Sequence, residues 1–489
     1  MDSDTRRNIH AYYLNFIVVA IVGFIVNPLL LAALGPLMFG IWKSLQRYLD
    51  FATVADGRAS QALKWVVASR SGYSDDEKRR DIGAAIMIWM RWLPAAAIVA
   101  GGVTLASPLL ISGIPEDSKR IVYTAAAILA ANTVLLGFMS VPDAVLTGVN
   151  QGYKSMLVTT SVFVASNGAM VVAAFQSWPL WSLAIIILTA AVINAAITLL
   201  VARRSISWWG IARPHRTDIR RVFGYSAWTL GWVVVDKLFL ASELILISIM
   251  LGAVEVSRYT FTTYVMQFVL SIALVTASGF MPKLGAHLGA SEYDDAAVRA
   301  RSVRHLVMGL AVLGSSAVLA FNGAFVSIWV GNDQYLGNSL NALLVICGLQ
   351  LALLRMDGQI LDVTMRIAPK VMVGLFSSVG AIVSAIAVFA ATDSLAIALL
   401  AIIAFRFVPN IAYPIFVSRA IPRSAVPSRA LIAAAALLLL SYVAGGLITN
   451  SNPAQSAMII LVWFAAFCTA VWFGLLPRST VRDMISRRR

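Results

Sequence analysis

Charge is scarce in this sequence: only 12% of its 489 residues are Asp, Glu, Lys or Arg, about half the share of a soluble globular protein. Cysteine is nearly absent. Cys347 and Cys468 stand far apart inside apolar runs, which excludes a disulfide framework and a Cys-x-x-Cys metal site. The four histidines, His10, His215, His287 and His305, fall in different segments, and no His-x-Glu pattern or Gly-Lys-Ser/Thr phosphate loop occurs. The sequence therefore offers no metal centre, no cofactor motif, no ATPase site and no catalytic residues. What fills the chain instead is apolar: 60% of its residues are hydrophobic. That is too much apolar surface for one aqueous core, and disorder requires low hydrophobicity. A polytopic, all-α membrane protein is what remains.

A helix needs about 20 apolar residues to cross the hydrocarbon core, so the chain has room for about fourteen crossings. Long apolar runs cut by charged or Pro/Gly-rich loops place them at 11–34, 37–66, 82–104, 121–147, 156–176, 181–202, 223–251, 256–282, 305–330, 338–365, 370–391, 394–418, 429–448 and 456–476. The first run follows Arg6 and Arg7 but is too long for a signal-peptide core and has no convincing cleavage site, so it reads as a retained span.

The net charge of +15, from Lys+Arg 38 against Asp+Glu 23, would suggest nucleic acid in a soluble protein. Here most of it marks orientation, because Lys and Arg concentrate on the cytoplasmic side. With the N-terminus inside, about 28 of the 38 basic residues fall on inner loops, tails and span ends, and about three (Lys119, Arg120, Arg258) on outer loops. Both termini are then cytoplasmic, and no nucleic acid is needed to explain the charge. The basic connection from Arg203 to Arg221 divides the spans into six and eight. The expected organisation is an N-terminal six-helix lobe (1–204), a basic inter-lobe loop (205–222), a C-terminal six-helix lobe (223–420), and two extra helices with a basic tail (421–489). Leu34-Gly35 followed by Trp42 echoes Leu251-Gly252 followed by Tyr259 at matching outer turns, which suggests two six-span repeats.

Seven basic residues lie within the spans: Lys43, Arg47, Arg58, Arg91, Lys237, Arg355 and Arg406. A cation near the bilayer centre costs at least about 2.5–3.5 kcal/mol when it faces lipid, so such residues face a bundle interior or a wet cavity. Lys43, Arg47, Asp50 and Arg58 fall within roughly 80° of one another on a helix. They read either as ion pairs to neighbouring helices or as the cationic wall of a solvated cavity, and the second reading is favoured. Arg355 and Asp362 share a face of the tenth span, with Asp357 elsewhere. Asp236 and Glu243 share a face of the seventh. Asp236 reads equally as a partner for a cation of the second or tenth span and as a proton or ion site. Arg91 is either a cavity residue or the partner of Asp143. Asp236, Glu243 and Asp362 are the ion-coupling candidates.

Several short motifs then carry a family resemblance. Asn27-Pro28, Leu34-Gly35, Phe39-Gly40-Ile41-Trp42, Tyr48 and Asp56-Gly57 lie in the first two spans. Asp236, Leu251-Gly252 with Tyr259, Pro282 with Leu284, and Trp329 with Gly331 lie in the seventh to ninth. Up to about residue 420 the chain resembles bacterial oligosaccharide and polysaccharide flippases, O-antigen flippases among them, of the multidrug/oligosaccharidyl-lipid/polysaccharide exporter superfamily. The two extra helices are similar to those of lipid II flippases. The resemblance implies two six-helix lobes in a V shape around a central cavity, alternating access, and a substrate of sugars on a polyprenyl pyrophosphate in the bacterial inner membrane. It implies membrane lipid, a polysaccharide polymerase and assembly proteins as partners. The cavity wall would fall on Lys43, Arg47 and Arg58 in the first lobe, and on Asp236, Lys237 and Arg355 in the second; from their place in the spans, Asp50 and Arg91 join Lys43, Arg47, Arg58, Lys237 and Arg355 as substrate-binding candidates. Coupling would run by proton or cation antiport or by the membrane potential. A lipid II flippase and an ion-coupled multidrug exporter are the alternatives. Short outer loops without an acidic cluster argue against a membrane glycosyltransferase or polymerase, and the charges within the spans argue against a non-transporting scaffold.

Overall fold

The computed structural model describes residues 3–53, 59–70, 73–224, 227–364, 367–448 and 453–475. Sixteen α-helices and no strands are found among them. They are α1 (Ser3–Ala52), α2 (Ala59–Ser69), α3 (Asp75–Leu110), α4 (Glu116–Met139), α5 (Val141–Gly148), α6 (Gly152–Phe175), α7 (Leu180–Ser205) and α8 (Arg216–Gly224). There follow α9 (Ala227–Met250), α10 (Ala253–Gly289), α11 (Tyr293–Val330), α12 (Asn338–Val363), α13 (Ile367–Thr392), α14 (Leu395–Ala420), α15 (Ser428–Ile448) and α16 (Pro453–Ala470).

Eleven helical segments among the described residues are long and apolar enough to cross a membrane. The difference from the fourteen expected crossings has local causes. The first span and part of the second run together in α1, which is interrupted at Gly35 (φ 73°, ψ 165°). Helix α9 carries Asp236, Lys237 and Glu243 within 24 residues. Helix α16 has only 18, which is short for the hydrocarbon core. Gly252 is also left-handed, at φ 89°, a conformation that penalises any residue with a Cβ. The Leu-Gly echo is thus a repeated backbone requirement at the two turns.

The chain forms two compact units. Unit 1 comprises residues 1–237 and 251–257, and unit 2 comprises 238–250 and 258–489.

In unit 1 the helix ends are set by ordinary capping chemistry. Ser74 starts α3, its backbone N–H donating to the Glu77 carboxylate at 3.2 Å, and Asp75 and Asp76 complement the helix dipole. Helix α7 ends on Arg203 and Arg204, the favourable sign for a C-terminus. The basic connection expected between the lobes packs within unit 1. Ile206 and Val222 join Leu63, Ile82 and Val145 in one buried cluster, and Ala212 donates to the Arg79 carbonyl at 3.2 Å. Charge seals this end: Arg70 reaches Asp81 at 2.6 Å and Glu77 at 3.0 Å, and Arg221 reaches Asp81 at 3.5 Å. Asp81 is fully buried. An Asp81→Asn variant should lose about 1.5–3 kcal/mol, the worth of a charged hydrogen bond. A lowered thermal midpoint in detergent checks this, and an unchanged midpoint would sink it.

In unit 2, α11 is the axis. Its Met308 and Val312 pack with Ala430, Ala434 and Leu437 of α15. Further along, Phe321 meets Trp463 edge-on at 4.8 Å. The Trp463 indole donates to Ser441 at 2.9 Å, joining α16 to α15. With no hydrophobic drive between helices in lipid, small residues and hydrogen bonds of this kind hold the bundle. The two extra helices are therefore bound into unit 2.

Candidate functional site

Each unit carries ionised side chains on helices that are otherwise apolar, and the two units treat them differently. In unit 1, Lys43, Arg47 and Asp50 follow one another along the second half of α1, all half-buried. The Lys43 ammonium donates to Asn27 Oδ1 at 2.9 Å and lies 5.3 Å from the Phe39 ring centroid. Its hydrogen-bond partner is therefore a neutral amide from the first span. Arg47 adds a second positive charge one turn on. Neither cation forms an ion pair among the described residues. Asp50 is paired, but with Lys237 of α9. Asp236, beside Lys237, is half-buried. Arg91 is exposed and forms no ion pair with Asp143 among the described residues. Arg58 lies outside the described residues.

In unit 2, Glu243, Asp357 and Asp362 are each matched within the unit. Arg406 is wholly buried and donates to Glu243 at 2.7 Å, Ser242 Oγ at 2.7 Å, the Phe239 carbonyl at 2.5 Å and the Cys347 carbonyl at 3.2 Å. Asp357 pairs with Arg304 at 2.8 Å, and Asp362 with the buried Lys370 at 2.5 Å. Arg355 is half-buried on α12; Arg366, near it in sequence, lies outside the described residues.

Helical spacing placed Asp236 and Glu243 on one face of a single helix, and the structure assigns one to each unit. It also did not foresee the cations that hold Glu243, Asp357 and Asp362. Arg304 stands just outside the expected span 305–330, and Lys370 opens the expected span 370–391. Their signal was the need of every in-span carboxylate for a counter-charge, which names no partner.

What the arrangement can do follows from the sum. Two like charges four residues apart on a helix repel, and their partial burial raises the cost. Lys43 and Arg47 bear that cost without a carboxylate, so this face is suited to an anion supplied from outside, above all a phosphate.

Comparisons with known proteins agree with this architecture. Residues 77–287 match the family model of polysaccharide biosynthesis proteins, somewhat under half of the chain. No curated protein sequence matches. Among solved structures, the lipid II flippase MurJ in an inward closed conformation is similar with a TM-score of 0.67 at 12% identity, over 97% of this chain and 98% of that one. An inward-facing multidrug resistance MATE family transporter of the MOP superfamily is similar with a TM-score of 0.62 at 13% identity, over 83% and 96%. A MOP superfamily transporter from Pyrococcus furiosus, described as having a binding pocket of reversed polarity, is similar with a TM-score of 0.50 at 15% identity, over 86% and 94%. The chain is a multi-pass membrane protein with the fold of the MurJ and MATE transporters, and its segment 77–287 carries the match to the polysaccharide biosynthesis family.

Proposed function

We propose that this protein is a flippase for a polyprenyl-pyrophosphate-linked oligosaccharide, an O-antigen or exopolysaccharide repeat unit. It would move this substrate from the inner to the outer leaflet of the bacterial cytoplasmic membrane by alternating access. The observation that carries the reading is the pair Lys43 and Arg47: two half-buried cations on one helix, with no carboxylate paired to either among the described residues. A diphosphate cannot enter hydrocarbon uncompensated. Arg and Lys supply charge-assisted hydrogen bonds to it, while the lipid tail stays in the bilayer. The match to polysaccharide biosynthesis proteins supports a glycan as the cargo. No covalent step is involved. A cationic drug would meet the wrong sign of charge on this face.

Arg58, Arg91, Lys237 and Arg355 complete the proposed substrate-binding set, with Asp50 holding Lys237 in place. Asp236, Glu243 and Asp362 are the ion-coupling candidates, and Glu243 and Asp362 each hold a cation of their own unit. The orientation with both termini cytoplasmic follows from the distribution of Lys and Arg.

Loss of one charged hydrogen bond to phosphate is worth about 1.5–3 kcal/mol. Arg47→Ala should therefore slow flipping of the lipid-linked glycan in proteoliposomes by about tenfold or more, with normal folding. Full activity in both Lys43→Ala and Arg47→Ala would sink the reading. A lipid II flippase is the second reading, favoured by one observation: the likeness to MurJ runs over 97% of the chain, against 83% for the MATE transporter. Identifying the lipid-linked saccharide that accumulates on the inner leaflet when the protein is lost separates the two. Accumulation of a drug instead would overturn both.

A further inference from the structure

Unit 2 contains a cavity of about 590 Å³ between α11, α12, α14 and the start of α15. It has two characters. One wall is apolar, with Met308, Leu353 and Leu431 along it. Ile415 and Leu431 continue it outwards, 44% and 53% exposed, on helices long and apolar enough to cross a membrane. The other end is charged and carries Arg304, Asp357 and Arg419. There the buried Arg304 is spent: it neutralises Asp357 at 2.8 Å and donates to the Ser424 carbonyl at 3.1 Å. Arg419 is exposed on the last turn of α14 and forms no ion pair among the described residues. The polar end thus keeps a surplus positive charge.

The site is built. The connection from α14 to α15 beside it is fixed by two arginines of α11, Arg304 on the Ser424 carbonyl and Arg301 on the Arg423 carbonyl. Arg423 brings a further cation, whose one ion pair among the described residues is with the exposed Asp294 at 3.6 Å.

An apolar slot open towards hydrocarbon and ending in a basic rim fits an amphiphile with an anionic head. A soluble anion would leave the apolar wall unused, and in a zwitterionic lipid the head group's own cation would compete with Arg419 for the phosphate. Basic pockets between membrane helices recognise anionic lipid head groups on these terms. We propose that this cavity binds one anionic phospholipid, its phosphate on Arg419 beside the Arg304–Asp357 pair and an acyl chain along Met308, Leu353 and Leu431. The site lies wholly in unit 2 and does not depend on the identity of the transported substrate.

Native mass spectrometry of the delipidated, full-length protein tests this, with phosphatidylglycerol and phosphatidylcholine added in separate titrations. Phosphatidylglycerol should be retained about five- to tenfold more strongly, in line with about 1 kcal/mol for each cation near a lipid surface. Arg419→Ala should bring the two lipids to parity, and Leu431→Trp, which fills the slot, should lower retention of both. Equal retention by the unaltered protein would overturn the proposal, as would an unchanged preference in Arg419→Ala. If Leu431→Trp does not fold, the exposed Arg419 still decides the matter. Displacement of bound phosphatidylglycerol by a polyprenyl diphosphate at equal concentration would also overturn it, giving the cavity to the carrier lipid.

Discussion

Replacing Arg406 with alanine is expected to cost about 3–5 kcal/mol of stability, the usual penalty for removing one partner of a buried ion pair. The guanidinium has no exposed surface, and four acceptors from α9 and α12 converge on it. Its loss leaves the Glu243 carboxylate charged, buried and unmatched, and strips two backbone carbonyls and a hydroxyl of their donor. Lysine is not a substitute, because one ammonium cannot reproduce the planar fork that serves Glu243 and the Phe239 carbonyl together. The double variant Arg406→Met/Glu243→Leu should recover much of the loss, since an apolar pair of similar volume often equals a buried ion pair. Thermal unfolding of the three proteins in one detergent measures this. A midpoint in Arg406→Ala within a degree of the parent would show that the pair contributes nothing.

A side chain at Gly40 should be tolerated nearly as badly. A Cβ built there would lie 1.7 Å from the carbonyl oxygen of Ala253 and 2.5 Å from its carbon. These are backbone atoms, so no rotamer change relieves the clash, and the start of α10 has to move away from α1. The surroundings leave little room: Phe39, Ile41, Trp42, Ala253 and Val256 are all essentially buried. Overpacking costs typically about 1–3 kcal/mol and more where the backbone itself is displaced, so Gly40→Ala is expected to lose about 3 kcal/mol. Lys43 is three residues further along the same helix, so transport should fall with it. Gly102→Ala is the matched control. Its Cβ would meet nothing within 4 Å, and alanine is favoured over glycine in a helix by about 1 kcal/mol. The contrast in unfolding midpoint between the two alanine variants is the measurement, and similar midpoints would mean that the helices do not need this close approach.

The membrane-spanning architecture was readable because the length of an apolar run is a property of one stretch of chain. Each expected span overlaps helix among the described residues, although 37–66 covers parts of both α1 and α2, 121–147 is shared by α4 and α5, and α9 and α16 show that charge content and length blur the count. The stripe on the second span was readable by the same logic, since helical periodicity puts Lys43, Arg47 and Asp50 together. Periodicity fixes a face but not what faces it. Arg406 and Glu243 stand 163 residues apart, and nothing within either helix connects them. The same holds for Asp50 with Lys237, settled by which helices pack side by side; Asp362 and Lys370, by contrast, are only eight residues apart, on successive helices. Asn27 was noticed only through a family motif. Its physical role, a neutral acceptor for the Lys43 ammonium, becomes visible once the first two spans lie against each other.

The segment 251–257 has a topological consequence. It belongs to unit 1, whereas the residues on both sides of it belong to unit 2. The chain therefore passes between the units three times, and no single cut yields two complete halves. A break after residue 237 strips unit 1 of the turn that packs on Gly40, and a break after 257 takes the Glu243 segment from unit 2. Exchanging either unit whole would therefore take three junctions in the chain where one would serve for units in simple succession.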